Sequence, residues 1–121
     1  KRVHLDFKTL KDHLNLQAYT GIVVVTRAHE FDSMCLHQVR HVLPTYVGVM
    51  GSHKRIFHAF EVLKEEGWTQ QELDMLYGPI GLDLGAQTPE EIALSIVAEY
   101  MAVSYRKQGG FLSKKRYTHE V

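Results

Sequence analysis

The chain has 121 residues, 45% of them apolar in type, and its 14 basic and 14 acidic side chains leave no formal net charge when the eight histidines are neutral. Such a composition suits one globular domain with a real core and gives no electrostatic reason to expect nucleic acid or an anionic membrane as partner. One cysteine, Cys35, rules out an intrachain disulfide and fits a reducing cytoplasm, and no apolar run approaches the length of a signal or membrane segment. The chain starts Lys1-Arg2-Val3 without methionine, as expected of a piece of a longer product.

In chain order, Leu5, Phe7, Leu10, Leu14 and Leu16 recur among charges at near-helical spacing, which predicts a short amphipathic helix ending near Asn15. Gly21-Ile22-Val23-Val24-Val25-Thr26 is an uninterrupted β-branched run and predicts a parallel strand buried on both faces. From Glu30 to Leu43 a helix is expected with Phe31, Cys35, Val39 and Val42 on its apolar stripe and Asp32, His37, Arg40 and His41 off it, stopped by Pro44. Tyr46 to Met50 reads as a second strand, Gly51-Ser52 as a turn, and about His53 to Glu66 as a helix closed by Gly67 in the left-handed conformation. Thr69-Gln70-Gln71-Glu72 is a capping box opening a short helix that runs to near Tyr77-Gly78-Pro79.

Thr88-Pro89-Glu90-Glu91 is a second and stronger helix start: a capping threonine, proline where no amide hydrogen is needed, and a glutamate three residues past the cap. The helix it opens runs to about Arg106 and carries Ile92, Ile96, Val97, Tyr100, Met101 and Val103, more apolar surface than one sheet face buries, so it is a candidate dimer surface. A domain over residues 1–108 and a basic tail over 109–121, with Lys114, Lys115 and Arg116, follow from this reading.

Alternating strands and helices with apolar strands predict an α/β fold, a parallel sheet with flanking helices on both faces, whose ligands bind beyond the carboxyl ends of the strands. Those ends carry Thr26-Arg27-Ala28-His29 and Gly51-Ser52-His53-Lys54-Arg55. In the second, a glycine, a serine N-cap and two cations at a helix start make an anion pocket for a phosphate; equally, Ser52 caps its helix while Lys54 and Arg55 face water. His29 and Asp32, three apart at a helix start, either line that edge or are its polar first turn. Asp83, between Gly81 and Gly85, is either a site carboxylate on a glycine-permitted loop or a turn cap. His37 and His41 have the spacing of a zinc pair without a third ligand, and Cys35 on an apolar stripe behaves as a small hydrophobe; neither carries a metal or catalytic assignment.

The blocks from Gly21 to Asp32, from Tyr46 to Arg55 and from Gly81 to Ile96 resemble, in order and spacing, the carboxyl-terminal Rossmann domain of the xanthine dehydrogenase accessory (XdhC/CoxI) family. The resemblance implies a partial Rossmann-like, doubly wound sheet. It implies an accessory factor rather than an enzyme, one that binds the molybdenum cofactor (molybdopterin) as cargo and assists its sulfuration and insertion into a molybdenum hydroxylase. The implied partners are the apo-hydroxylase and a sulfurtransferase; a second copy of the chain is expected from the apolar last helix, not from the resemblance. The implied site is Gly51, Ser52, Lys54 and Arg55 on a phosphate, His29 and Asp32 lining the pocket, and Asp83 with Gly85 closing it. The family's opening strand and glycine-rich turn have no counterpart here, since no G-x-G-x-x-G occurs. NAD(P) or another nucleotide in an oxidoreductase-like domain, and a ligand-free protein-binding scaffold, are the alternative readings.

Overall fold

A computed structural model describes residues 6–42 and 44–113, with the backbone alone at Phe7 and His29. It divides into two compact units, Lys1–Ile80 and Gly81–Val121.

The first unit is built on three parallel strands, β1 (Gly21–Val24), β2 (Tyr46–Val49) and β3 (Leu76–Tyr77), in the order β1-β2-β3. The register pairs Ile22 with Val47, Val24 with Val49, and Val47 with Leu76, so these side chains share one face. Helices α2 (His29–Val39) and α3 (His53–Glu65) connect the strands. Right-handed crossovers that keep stepping the same way along a sheet put both helices on the same side. Cys35, Leu36 and Val39 of α2 and Ile56 and Leu63 of α3 accordingly share one core with Val24, Val47, Val49 and Leu76. Central β2 is buried along its whole length.

Burial of the first strand on both faces, expected from its sequence, does not hold. Val23 and Val25 are exposed, because α2 and α3 of this unit cover only the opposite face. The strand also stops at Val24: the Met50 amide donates to the Val24 carbonyl at 3.0 Å, and beyond it the Thr26 carbonyl and hydroxyl turn to side-chain partners. Upstream, the expected single helix is broken into a 3-10 turn at Phe7–Thr9, α1 (Leu10–His13) and a second 3-10 turn at Leu16–Ala18. Extended backbone at Leu14 ends α1 and brings Leu16 into the core. Helix α2 ends at Val39, ahead of the Leu43 limit expected, as the position before Pro44 disfavours helix; Leu43 lies outside the described residues.

Signals at the other helix ends act locally and act as read. Gly67 has φ +100° behind α3, and Thr69 and Glu72 make both capping-box bonds at α4 (Gln70–Asp74). Strand β3, in the stretch read as the end of that helix, is only two residues long and gives no period to detect.

One polar clamp fastens α2 to the segment after α3. Arg40 donates from Nε and Nη2 to the two Glu72 carboxylate oxygens at 2.8 and 2.9 Å, donates to the Gly67 carbonyl at 2.8 Å, and lies over the buried Trp68 ring at 5.3 Å. Trp68 Nε1 donates to His37 Nδ1 at 3.2 Å, which leaves Nε2 to carry the proton shared with Glu66 at 3.0 Å. Both nitrogens of His37 are thus engaged, and among the described residues no group of three His, Cys, Asp or Glu side chains is placed to hold a metal ion.

In the second unit, segment 81–88 lies against α5 (Pro89–Ser104). The Gly81 amide donates to Glu99 Oε1 at 2.9 Å and the Leu82 amide to the Ser95 carbonyl at 3.1 Å. Gly81 has φ +104°, and a Cβ there would run into the buried Ser95 hydroxyl, so this position admits only glycine. Thr88 and Glu91 form the capping box at the amino end. At the other end, Lys107 donates to the Ala102 carbonyl and Arg106 to that of Val103, a Schellman closure with Arg106 at φ +58° where glycine is usual.

The Arg40 hydrogen bond, followed by that of the Thr69 amide, lowers the Glu72 pKa from its ordinary 4.5 to about 2. The unfolded chain therefore takes up this proton first. The contribution of Glu72 to stability is complete above pH 4.5 and is lost as pH falls toward about 2. Thermal melts across that window should show a flatter acid limb for Glu72→Gln than for the parent, and parallel profiles would contradict the clamp.

Candidate functional site

The carboxyl ends of β1 and β2 open onto a cleft of about 580 Å³ lined by Arg27, Ala28, Glu30, Ser52, Lys54, Arg55 and His58. Its volume lies in the range of small-molecule sites. The amino ends of α2 and α3 both lie at it, so its walls combine two positive helix termini with the side-chain charges of Arg27 and Lys54.

At α3 the local chemistry is as the sequence indicates. Ser52 is extended (φ −68°, ψ 163°) and its Oγ accepts the Arg55 amide at 3.2 Å, so it is the N-cap. Gly51 precedes it at φ +154°, and a Cβ there would stand 3.0 Å from Arg55 Cδ. The turn thus lets the Arg55 side chain fold back across its own backbone. Helix α2 has Ala28 as N-cap and no side-chain cap bond.

Behind this wall lies the unit's one fully buried ionic side chain among the described residues. Asp32 is 0% exposed. Its Oδ2 accepts from Arg55 Nε at 2.9 Å and lies 2.8 Å from Nη2 as an ion pair, while Oδ1 accepts from the Thr26 hydroxyl. Arg55 Nη2 also donates to the Thr26 carbonyl at 2.8 Å and to its hydroxyl oxygen at 3.0 Å. The hydroxyl has one hydrogen and two acceptors in reach, Asp32 Oδ1 and the Ala28 carbonyl at 2.9 Å. Three elements, the end of β1, the first turn of α2 and the first turn of α3, are therefore tied at one carboxylate. The same charge adds to burial in pushing the Cys35 thiol up to about 11, so the thiolate is scarce near neutral pH.

This geometry revises two roles read from the sequence. Asp32 does not line the cleft, because a carboxylate removed from water must be fully partnered and its partners lie behind the wall. Arg55 lines the cleft but has Nε and Nη2 committed to Asp32 and Thr26, which leaves Nη1 as its donor toward a ligand among the described residues. Ser52 and Lys54 are on the wall, with Gly51 next to it in sequence. The His29 side chain lies outside the described residues. Asp83 and Gly85 belong to the second unit, where Gly85 has φ +74° and Asp83 is exposed.

Sequence reasoning placed Arg27 at the strand's carboxyl end without giving it a role, and passed over Glu30 and His58. Arg27 and Glu30 stand directly after the first strand, where sites in such sheets form, and His58 follows Lys54 by four residues and so shares its helix face.

Removing Asp32 would leave Arg55 without its counter-charge in a largely dry setting. Asp32→Ala should lower unfolding free energy by about 3 kcal/mol, whereas exposed Lys54→Ala should change it by no more than about 0.5 kcal/mol. Urea denaturation of both variants checks the contrast, and equal effects would refute the lock.

The family model described as the XdhC Rossmann domain matches residues 2–100. Over 94 residues the chain is 27% identical to the molybdenum cofactor insertion chaperone PaoD of Escherichia coli strain K12, covering 76% of this chain and 30% of PaoD. Over 69 residues it is 32% identical to the uncharacterized protein YqeB of the same organism, covering 57% of this chain and 13% of that protein. A crystal structure titled as a xanthine dehydrogenase (BH1974) from Bacillus halodurans superposes with a TM-score of 0.66 at 29% identity, over 90% of this chain and 31% of that one. The chain thus spans less than a third of each of these proteins.

Proposed function

We propose, on the premise that the chain belongs to the XdhC Rossmann-domain family, that it serves as part of a maturation factor for a molybdenum hydroxylase, binding the molybdenum cofactor and assisting its sulfuration and insertion. The observation that carries this reading is the cationic cleft at the β1 and β2 ends, joined to the likeness to PaoD. A pterin cofactor bears a phosphate, and Arg27, Lys54, the Ser52 turn and the two helix termini are the groups to receive it. The cleft is much larger than a phosphate needs, so room remains for the rest of the molecule.

Within this role the residues divide the work. Lys54 and Arg27 supply exposed charge that can be matched and released, as a carrier requires. Arg55 and Asp32 keep the wall in place, and their charges largely cancel. Asp83, an exposed carboxylate on a loop fixed by Gly81, orients or gates the cargo in the assembled factor and does not catalyse. His29, at the first turn of α2, and Gly85 complete the set. The partners are the apo-hydroxylase, which accepts the cofactor, and a sulfurtransferase, which supplies the terminal sulfur; the working unit is a pair of copies, acting in the cytoplasm.

The test is delivery. In a reconstitution containing a cofactor source and an apo-hydroxylase, Arg27→Ala with Lys54→Ala should lower recovered hydroxylase activity by about tenfold or more, the scale of losing charge-assisted contacts. The same variant should lose the stabilisation that pyrophosphate or cofactor gives the parent, about 2.7 kcal/mol at a hundred times the dissociation constant and read as a rise in melting temperature. Unchanged delivery and an unchanged thermal shift would overturn the reading.

Asp83→Asn should leave stability within about 1 kcal/mol, being an exposed loop change, yet lower delivery. Full delivery by that variant would remove Asp83 from the site.

A further inference from the structure

The wall of the cleft at the β1 and β2 ends carries an acid among its cations. Glu30 lines it together with Arg27, Ser52, Lys54, Arg55 and His58, and is exposed there. Its place in the first turn of α2 suits the helix dipole, which accounts for an acid at that position but not for one lining an anion site. The partly buried guanidinium does not require it, since Arg55 is already matched by Asp32 at 2.9 Å from Nε. Toward a phosphate on Lys54 and Arg27, Glu30 acts as a like charge in the same cleft and weakens binding.

A ligand that is anionic at one end and rich in hydrogen-bond donors at the other turns that cost into recognition. Ser52 and Lys54 belong to the start of α3, whereas Glu30 belongs to the start of α2. The two helices pack over one core, and axes of packed helices lie about 8–10 Å apart. A molecule seated by its phosphate at α3 therefore meets Glu30 through a part on the order of 10 Å away. A pterin on a short phosphate arm has that reach, at about 1.5 Å per bond. Its far edge presents an amino group and a ring N–H side by side, two parallel donors that fit the two oxygens of a carboxylate as a guanidinium does.

We propose that Glu30 is the specificity residue of the cleft, its two carboxylate oxygens accepting from the exocyclic amino group and the neighbouring ring N–H of a pterin whose phosphate sits on Lys54 and the Ser52 turn. The assignment rests on the phosphate-cleft reading given under Proposed function and adds the group that tells a pterin from other phosphorylated molecules. Glu30 discriminates in two ways at once: a ligand offering negative charge alone is opposed, and one that also offers the donor pair is matched. Lys54 and Arg27, in contrast, are blind to what the phosphate is attached to, because a point charge reads no ring edge.

Calorimetric titration of the chain and of Glu30→Gln with four probes tests this. The probes are inorganic pyrophosphate, hydroxymethylpterin pyrophosphate, its lumazine counterpart in which an oxo group replaces the amino group, and guanosine diphosphate, which carries the same donor edge but sets it further from the phosphate by a ribose. The parent should bind the pterin about tenfold or more tighter than the lumazine, the scale of a lost bidentate pair, and guanosine diphosphate less tightly than the pterin. Glu30→Gln keeps the shape but leaves one acceptor, so it should erase the preference for pterin over lumazine while strengthening pyrophosphate, from which a like charge has been removed. These opposite signs in one variant also show that the cleft is still folded. A parent that binds pyrophosphate but takes both pteridines equally, or a preference that survives in Glu30→Gln, would overturn the assignment and leave the phosphate cleft standing. Guanosine diphosphate binding more tightly than the pterin would overturn the pterin as the ligand. A parent that binds none of the four, pyrophosphate included, would overturn the phosphate cleft and this assignment with it.

Discussion

A carboxylate wholly removed from water fixes the architecture of the first unit. Asp32 lies at 0% exposure, and an ionised side chain in that position is tolerated only where hydrogen bonds replace its hydration. Those bonds come from Arg55 on the first turn of α3 and from Thr26 past the end of β1. The cost of burying the charge makes the geometry specific, since moving any of the three elements would leave a partner unmatched. The end of β1, its early stop at Val24 and the path of the turn into α2 all follow from where Thr26 must be.

The lock also separates holding from binding. Arg55, next to Lys54 in sequence, spends most of its donors inward, whereas Lys54 is exposed on the cleft wall. Gly51 is part of the same device, because its backbone conformation and missing side chain let Arg55 turn back across it. What remains facing the cleft is a modest positive charge from Arg27 and Lys54, reinforced by two helix ends and tempered by Glu30. A site of that kind can take up an anionic ligand and release it, as the proposed role requires.

Features governed by neighbours in sequence were legible in the sequence. The caps at Ser52, Thr69 and Thr88 and the left-handed Gly67, Gly81 and Gly85 are chemistry of three or four adjacent residues, and each occurs where it was read. Features governed by distant partners were not. Asp32 looks like a polar first-turn residue until Arg55, 23 positions on, is seen against it. Likewise, burial of Val23 depends on which side of the sheet receives the next helix, and no alternation within β1 encodes that. Strand β3 owes its two residues to pairing with β2, not to its own composition. The ordered blocks carrying the family resemblance, in contrast, are a matter of sequence alone, and the XdhC Rossmann-domain match over residues 2–100 bears them out.

The account stands on Arg55 being a fixed wall that a ligand meets without dislodging, and a crystal structure of the chain with a pyrophosphate or pterin phosphate in the cleft measures this directly. The account predicts the anion on Lys54, Arg27 and the Ser52 turn, with the Asp32 to Arg55 and Asp32 to Thr26 bonds at the lengths they have here. An anion held by Arg55 swung away from Asp32, with Lys54 and Arg27 making no contact, would contradict it.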